Sequence, residues 1–218
     1  MPRLPRTVRP YGPTALLLDW EARIDPAISA GVHAYAAAVA TLAGVHECVP
    51  AYASLLVRFD PDRTTGYALR EAIYDLRPDS VAGPPGTLHR LPVRYGGSEG
   101  PDLAEVADAL GLPPRRIVEL HTSRDYRVYQ LGYRPGFAFL GATPPGLDIP
   151  RRAEARPRLP AGSVGLAGRQ TGVYPTPGPG GWRIIGHCPT PLLLAQPPYV
   201  LLRPGDRVRF YAIDRWKN

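Results

Sequence analysis

The stretch Pro160–Trp182, PAGSVGLAGRQTGVYPTPGPGGW, decides how this sequence is interpreted. Its many small residues let backbone amides approach a ligand, and Gln170 offers both a hydrogen-bond donor and an acceptor, which suits an amide or a lactam. Ser163 lies in GSVG and not in the GxSxG pattern of a nucleophile elbow. The sequence contains no GxxxxGK[ST] phosphate loop. The stretch therefore favours an amide-binding surface over a serine nucleophile or a nucleotide loop.

Two preceding segments extend this pattern. Gly132–Gly141 is crowded with glycine and aromatic residues, in which Gly136 permits a positive φ and the flanking aromatic rings are placed to wall a pocket. The alternative for this segment is a bulged barrel corner with aromatic core packing. Pro150–Arg158 is rich in arginine, whose guanidinium binds carboxylates and phosphates in a bidentate manner, and its alternative is a solvated basic loop. The four arginines of this segment are Arg151, Arg152, Arg156 and Arg158.

The candidates for acid–base chemistry are two histidines. His121 stands in Leu120-His121-Thr122, just before the predicted barrel strands, and His187 is the second candidate. A histidine side chain titrates near neutrality, which suits proton transfer, although a lone histidine is more often structural. His121 is therefore the preferred general acid or base.

Composition limits the class of protein. The chain has 218 residues, of which 44% are hydrophobic, so it can bury a core. Its net charge of +7 comes almost entirely from arginines that are interleaved with acidic residues, and no basic stripe alternates with aromatics. A small anionic substrate or an acidic partner surface is favoured over nucleic acid. Cys48 and Cys188 stand apart without ligand spacing, so no metal site is predicted.

The sequence carries no sign of a membrane. Residues 1–13 are basic and proline-rich but lack the apolar segment of a signal peptide, and no run of 18 apolar residues occurs. We therefore expect no membrane association and a cytoplasmic location. Residues 1–13 are predicted to be a flexible tail.

The first half of the sequence predicts alternating strands and helices. Asp25-Pro26 is typical of a helix start and Gly44 of a helix stop, while Thr64 is placed to cap a second helix. The resulting order is β-α-β-β-α-β, the ferredoxin-like pattern. The predicted elements are a strand at Thr14–Trp20, a helix at Pro26–Ala43, strands at Val45–Pro50 and Tyr52–Phe59, the helix after Thr64, and a strand at Leu88–Tyr95.

The second half predicts a closed or nearly closed β-barrel. Two helices at Asp102–Leu110 and Arg115–Leu120 are followed by short strands separated by glycine and proline. Arg203-Pro204-Gly205-Asp206 is typical of a type II turn. The predicted strands are Tyr126–Leu131, Gly162–Ala167, Trp182–Ile185, Tyr199–Leu202 and Arg207–Ile213. With a boundary in the Pro/Gly-rich loop, the predicted domains are residues 14–86, ferredoxin-like, and 87–218, the barrel.

Several motifs resemble the allophanate hydrolase subunit 1 family, which includes one of the component proteins of bacterial 5-oxoprolinase and the Kip-type inhibitor of a sporulation histidine kinase. They are LPVRYGG at Leu91–Gly97, GPDL at Gly100–Leu103, and above all Pro160–Trp182. The resemblance covers nearly everything after the tail. It implies an α+β protein in which a ferredoxin-like N-terminal domain is followed by a cyclophilin-like β-barrel domain.

The resemblance also implies a function. The chain is expected to be a subunit, inactive alone, of an ATP-dependent 5-oxoprolinase that opens the 5-oxoproline lactam to L-glutamate. The implied partners are an allophanate hydrolase subunit 2-like subunit and a lactam-utilisation-type subunit, and ATP is implied for the assembled complex. Two alternatives stay open: an inhibitor of a histidine kinase, and the carboxyltransferase half of a urea-carboxylase-like enzyme whose biotin arrives on a partner.

Within this family the chain is expected to supply half of an interfacial site. The implied catalytic residues are His121 and Gln170. The implied substrate-binding residues are Gly136, Phe137, Arg151, Arg156, Thr171, Tyr174 and Trp182. The sequence departs from the family at four places, which leaves the exact substrate open: Ala155 replaces proline, His187-Cys188 replaces Arg-Thr, Phe139 replaces tyrosine, and Gly178 replaces serine.

Overall fold

The structure is a computed structural model that describes residues 4–78 and 86–213. The chain divides into two compact units, one ending at Pro85 and one starting at Gly86. The first unit combines one antiparallel sheet with two helices. The second unit is built on a closed β-barrel. The fold is therefore α+β, as the sequence predicts.

The N-terminal unit contains a four-stranded sheet in the order β1-β2-β4-β3, with every neighbouring pair antiparallel. Alternate side chains of the two central strands point to one face, where they are buried against the helices. The core residues include Leu16, Leu18, Leu55 and Val57 from the sheet and Ile28, Val32 and Tyr35 from the first helix. The elements are β1 (Thr7–Pro10), β2 (Ala15–Asp19), α1 (Pro26–Val39), β3 (Val45–Pro50), β4 (Ser54–Phe59) and α2 (Gly66–Asp75).

The fourth strand of this sheet differs from the prediction. Leu88–Tyr95, the last strand of the predicted β-α-β-β-α-β order, is a barrel strand, and the fourth strand of this sheet is β1 from the predicted tail, which pairs with β2. The prediction of a flexible tail is therefore wrong for Thr7–Pro10, in which Val8 is only 5% exposed. The strands of the sheet have the same neighbours as in the ferredoxin-like pattern. However, the strand that comes last along the chain in that pattern comes first in this chain. A single apolar residue among prolines and arginines gave too weak a pattern to reveal this strand.

Helix starts follow the predicted chemistry more closely than helix ends. Asp25 Oδ1 accepts hydrogen bonds from the backbone N–H groups of Ala27 and Ile28 at 2.7 and 3.3 Å, which satisfies the free donors at the start of α1. The helix ends at Val39, earlier than predicted, and Gly44 takes its positive φ of 81° in the following turn. The cap of α2 is Thr65, one residue after the predicted Thr64.

The C-terminal unit is a seven-stranded closed barrel in the order β10-β7-β6-β13-β5-β12-β9. Strand β13 pairs with β5 in parallel, and the other pairs are antiparallel. The barrel strands are β5 (Leu88–Tyr95), β6 (Asp125–Leu131), β7 (Ala138–Gly141), β9 (Ser163–Ala167), β10 (Gln170–Val173), β12 (Arg183–His187) and β13 (Arg207–Ala212). A separate two-stranded sheet pairs β8 (Arg156–Leu159) with β11 (Gly178–Gly180).

Two helices, α3 (Leu103–Leu110) and α4 (Pro114–Thr122), pack on the barrel. Their apolar faces, including Val106 and Ile117, join the barrel core. Gly111 ends α3 in the left-handed conformation with a φ of 63°, which glycine adopts readily. The predicted strand at Tyr199–Leu202 is wrong, because this segment forms only an isolated bridge between Val200 and Leu193. The 203–206 turn is present, with Gly205 at a φ of 92°.

Candidate functional site

A cleft of about 220 Å³ opens in the barrel unit between the Gly132–Gly141 segment, the arginine segment and β11. Ligand pockets for drug-sized molecules are roughly 300–1,000 Å³, so this cleft suits a smaller molecule. Five of the eight lining residues are aromatic, and one is an arginine. The lining residues are Tyr133, Phe137, Phe139, Arg151, Tyr174, Gly180, Gly181 and Trp182.

The aromatic wall is centred on Phe137, which is 2% exposed. Its ring makes edge-to-face contacts with Phe139, Tyr174 and Trp182 at centroid distances of 4.9, 5.2 and 5.5 Å. Edge-to-face pairs fix the relative orientation of the rings as well as burying them. The wall therefore belongs to a small hydrophobic cluster of largely buried residues, which holds the rings around the cleft in fixed positions.

The segment that carries Tyr133 is tied to the opposite loop. The Arg134 guanidinium donates to the carbonyl of Pro177 at 2.9 Å and lies 5.5 Å from the centre of the Tyr133 ring. The Tyr133 hydroxyl donates to the carbonyl of Pro179. A Cβ atom on Gly178 would lie 2.2 Å from the Arg134 guanidinium, so glycine at this position makes room for Arg134.

Tyr174 lines the cleft, although its side chain is largely buried. Burial raises the pKa of Tyr174 to about 12, while the backbone N–H of Trp182, which donates to its oxygen, works in the opposite direction. The phenol therefore keeps its proton at neutral pH and can donate it to a ligand. The hydroxyl lies close to the β11 backbone: a Cβ atom on Gly180 would be 2.4 Å from it.

The arginine segment divides into two groups. Arg156 binds Asp102 with both terminal nitrogens, at 2.8 and 2.6 Å, and Arg152 binds Asp102 and Glu105 at 3.2 Å each. Arg151 lines the cleft, and within residues 4–78 and 86–213 it has no ion-pair partner. The guanidinium of Arg151 is thus available to an anionic ligand, whereas that of Arg156 is already neutralised.

The carboxyl group of Asp102 is an unusual feature of this region, since its side chain is only 2% exposed. Burial works to raise its pKa, but hydrogen bonds from Arg156 and from the Ile184 backbone N–H, with the charges of Arg156 and Arg152, outweigh that effect. The net result is a pKa of Asp102 below its ordinary value. The group is therefore an ionised, buried carboxylate at neutral pH.

His121 lies in the barrel core and not in the cleft. Its side chain is fully buried, and its ring stacks on Phe210 at a centroid distance of 4.6 Å. Thr171 donates its hydroxyl hydrogen to the Gly165 carbonyl, so its oxygen accepts from His121 Nε2–H at 2.8 Å, and His121 Nδ1 accepts from the Tyr95 hydroxyl at 2.7 Å. Burial lowers the pKa of His121 to about 3.

These contacts correct two sequence-based expectations. A neutral histidine whose two ring nitrogens are both satisfied inside a core does not reach a substrate, so His121 is removed from our set of candidate acids and bases. Thr171 is likewise 0% exposed and is bonded to that histidine, so it is not a substrate contact. Both residues instead stabilise the barrel interior.

The remaining predicted residues occupy different places. Phe137, Arg151, Tyr174 and Trp182 meet at the cleft. Gln170 is half-buried on β10 and does not line it. Gly136 and Arg156, which were also predicted to bind substrate, lie outside the cleft lining. Gly136 has a φ of 78°, and a Cβ atom there would lie 2.7 Å from Leu193, so the position requires glycine. Arg156 is paired with Asp102.

Other parts of the site were not among the residues predicted from the sequence. Tyr133, Gly180 and Gly181 line the cleft, and Asp102 neutralises the neighbouring arginines. Tyr133 lies within the aromatic segment already singled out, so that segment as a whole was the useful signal. Asp102 carried no signal of its own, because its role depends on residues about fifty positions later in the chain.

His187, the second histidine candidate, belongs to a separate cluster. Its Nε2–H donates to the Ala161 carbonyl at 3.1 Å, and its Nδ1 lies 3.4 Å from the Arg94 guanidinium, which is also bound to Glu99 at 2.8 Å. The side chain is not part of the cleft lining.

Both cysteines are free, and burial raises the pKa of Cys48 to about 11.

Two absences apply to the described ranges, residues 4–78 and 86–213. There, no group of three or more histidine, cysteine, aspartate or glutamate side chains is arranged to hold a metal ion. In the same ranges, no helix is both long enough and apolar enough to cross a membrane.

Fold and cleft together define a class: a two-unit α+β protein whose second unit is a closed barrel with a small aromatic cleft. Residues 6–201 match the family described as carboxyltransferase domain, subdomain C and D. The chain belongs to this family, within the allophanate hydrolase subunit 1 group that its motifs resemble.

Relatives of known name agree with this assignment. The chain is 38% identical to the 5-oxoprolinase B-type subunit of Bacillus subtilis (strain 168), covering 95% of this chain and 92% of the relative. It is 41% identical to the protein of the same name from Escherichia coli O157:H7, covering 91% and 92%. These relatives are similar to this chain over nearly their whole length.

Solved structures show the same fold. TTHA0988 superposes with a TM-score of 0.81 at 36% identity, covering 96% of this chain, which spans only 41% of that protein. Urea carboxylase from Kluyveromyces lactis superposes with a TM-score of 0.77 over 95% of this chain and 22% of its own length. At 17% identity, the second likeness concerns the fold alone.

Proposed function

We propose that this chain is a subunit of an ATP-dependent 5-oxoprolinase and that its aromatic cleft binds 5-oxoproline. The names of the B. subtilis and E. coli relatives support membership of such a complex. The observation that carries the assignment of the cleft is the position of Arg151, an unpaired cation among the described residues, at the edge of an aromatic wall.

The chemistry of 5-oxoproline matches the groups of the cleft. Its carboxylate fits the guanidinium of Arg151, since charge-assisted hydrogen bonds of this kind are the strong ones. Its lactam oxygen is an acceptor for the hydroxyl of Tyr174, which keeps its proton because its pKa is raised to about 12. The flat, five-membered ring suits a cleft of about 220 Å³ that is lined largely by aromatic residues.

The cleft does not fit ATP. Its volume of about 220 Å³ is below the range of ordinary ligand pockets. Its one unpaired arginine also supplies much less positive charge than a triphosphate carries negative charge. We therefore assign ATP to the partner subunits, which we propose to be an allophanate hydrolase subunit 2-like protein and a lactam-utilisation-type protein. No catalytic step is assigned to ATP within this chain.

The cleft also lacks a general acid or base. Its lining contains neither a histidine nor a carboxylate, and the two tyrosines are poor bases. In our proposal the chain binds and orients the lactam and excludes water from one side of it. The reacting groups then lie on a partner, so the chain alone is expected to be inactive.

The test is reconstitution with the two proposed partner subunits, followed by measurement of ADP release and glutamate formation. We expect turnover only when all subunits and 5-oxoproline are present. 2-Pyrrolidinone, which lacks the carboxylate, and proline, which lacks the lactam oxygen, serve as matched controls and should each be poor substrates or ligands. Equal ADP release with and without 5-oxoproline would refute the proposal.

One alternative has specific support. The family description and the fold shared with K. lactis urea carboxylase favour a carboxyltransferase half, acting with a carboxylated biotin that is carried by a partner. The reconstitution assay separates the two functions by product. A carboxylated amide would indicate carboxyl transfer, whereas glutamate indicates lactam opening.

A further inference from the structure

Asp102 makes contacts that its place in the sequence does not explain. It precedes α3, yet its side chain caps no helix N–H. It accepts instead from Arg156 at 2.8 and 2.6 Å, from Arg152 at 3.2 Å and from the Ile184 backbone N–H at 2.6 Å. A buried carboxylate is costly unless it is fully paired, so this arrangement needs both arginines.

The same arginine segment is held at the cleft by two further contacts. The Arg152 backbone N–H donates to the Gly181 carbonyl at 2.9 Å, and Arg183 Nε donates to the Pro150 carbonyl at 3.1 Å. Gly181 is part of the cleft lining. The backbone is therefore held in place at Pro150 and at Arg152, the residues on either side of Arg151.

We propose that Asp102 is a positioning residue, which anchors residues 150–158 so that Arg151 faces the ligand. This inference rests on the proposed function, in which Arg151 binds the carboxylate of 5-oxoproline. Asp102 itself does not touch the cleft. It acts through Arg152 and Arg156, which it holds between α3 and the cleft wall.

Glu105 forms the outer part of the same anchor. It lies one turn further along α3, and it binds Arg152 at 3.2 Å and also Arg183. Its side chain is 53% exposed, so its ion pairs are screened by solvent and contribute less than those of Asp102. Removal of the Glu105 charge should therefore loosen the segment in the same direction but to a smaller extent.

The first experiment needs no substrate. Trypsin cleaves after arginine, and the segment contains susceptible bonds after Arg151, Arg152 and Arg158. In the full chain, Asp102→Asn, which keeps the size of the side chain but removes its charge, should raise the cleavage rate in this segment about 10-fold or more, because local opening exposes the backbone. Glu154→Gln, an exposed change in the same segment, is the matched control and should leave the rate unchanged.

The second experiment uses the assembled complex. Asp102→Asn should raise KM for 5-oxoproline about 10-fold and leave kcat within about twofold, since the defect lies in the placement of a binding group. A purely structural role would lower the amount of active complex, and thus kcat, without this change in KM. Glu105→Gln should show a smaller rise, and it serves as the test if Asp102→Asn does not fold.

The outcomes separate this inference from the proposed function. Faster cleavage in the segment without any 5-oxoproline turnover by the wild-type complex would support the anchor and refute the proposed function. Unchanged cleavage and an unchanged KM in both variants would overturn the positioning role, whatever the activity of the complex.

Discussion

The buried His121 makes a sharp prediction about stability and pH. In the folded protein the pKa of its ring is lowered to about 3, because burial penalises the charged form. In the unfolded chain the ring has its ordinary pKa of about 6.5. As the pH falls below 6.5, the unfolded state takes up a proton that the folded state does not bind, so the free energy of unfolding decreases.

The size of the effect follows from these two pKa values. A pH of 5 lies about 1.5 units below the pKa of the unfolded ring, while the folded ring is still neutral there. At about 1.36 kcal/mol for each unit, the barrel unit should lose about 2 kcal/mol of stability between pH 8 and pH 5 from this histidine alone. The loss continues toward pH 3 and ends there.

The assay is urea unfolding followed by the fluorescence of Trp182, in a background where Trp20 and Trp216 are replaced by phenylalanine. His121→Gln keeps an acceptor for Tyr95 and a donor for Thr171 but does not titrate. This variant will be less stable at every pH, and the difference between it and the parent should shrink by about 2 kcal/mol from pH 8 to pH 5. A constant difference would refute the reasoning.

Two further predictions concern close packing and the first strand. Gly180→Ala places a Cβ atom 2.4 Å from the Tyr174 hydroxyl, so it should lower the free energy of unfolding by about 1–3 kcal/mol and distort the cleft. Gly181→Ala, whose nearest contact is 3.7 Å, should be tolerated. Thermal unfolding of both variants checks this prediction. Val8→Asp should destabilise the N-terminal unit by about 3 kcal/mol, because it buries a charge in β1. The control is Arg9→Gln, a change at an exposed position of the same strand. Equal effects of the two changes in urea unfolding would contradict the prediction.

Several elements of the fold were predicted correctly from a local sequence pattern. The Asp25-Pro26 helix start is present as expected, and the strand predicted at Tyr52–Phe59 is found at Ser54–Phe59. Thr7–Pro10 was missed because its strand is specified by pairing with β2 and not by its own composition. The short strands β7 and β10 were missed for the same reason, since closure of the barrel decides their conformation.

The site was predicted in part. The aromatic and arginine segments were recognised, and Phe137, Arg151, Tyr174 and Trp182 do meet at one cleft. The sequence could not separate the unpaired Arg151 from Arg156, because that difference depends on Asp102, which lies far away in the chain. The sequence also could not show whether His121 is buried or accessible, because a histidine in either setting can precede strands of this kind.

The most direct test of the proposed function is KM for 5-oxoproline in the assembled complex after the charge of Arg151 is removed. A lost hydrogen bond to a charged group costs about 1.5–3 kcal/mol, so Arg151→Gln should raise KM about 10- to 100-fold. Arg158→Gln, an exposed arginine of the same segment outside the cleft lining, is the control and should leave KM unchanged. An Arg151→Gln complex with the KM of the wild type would contradict the proposal.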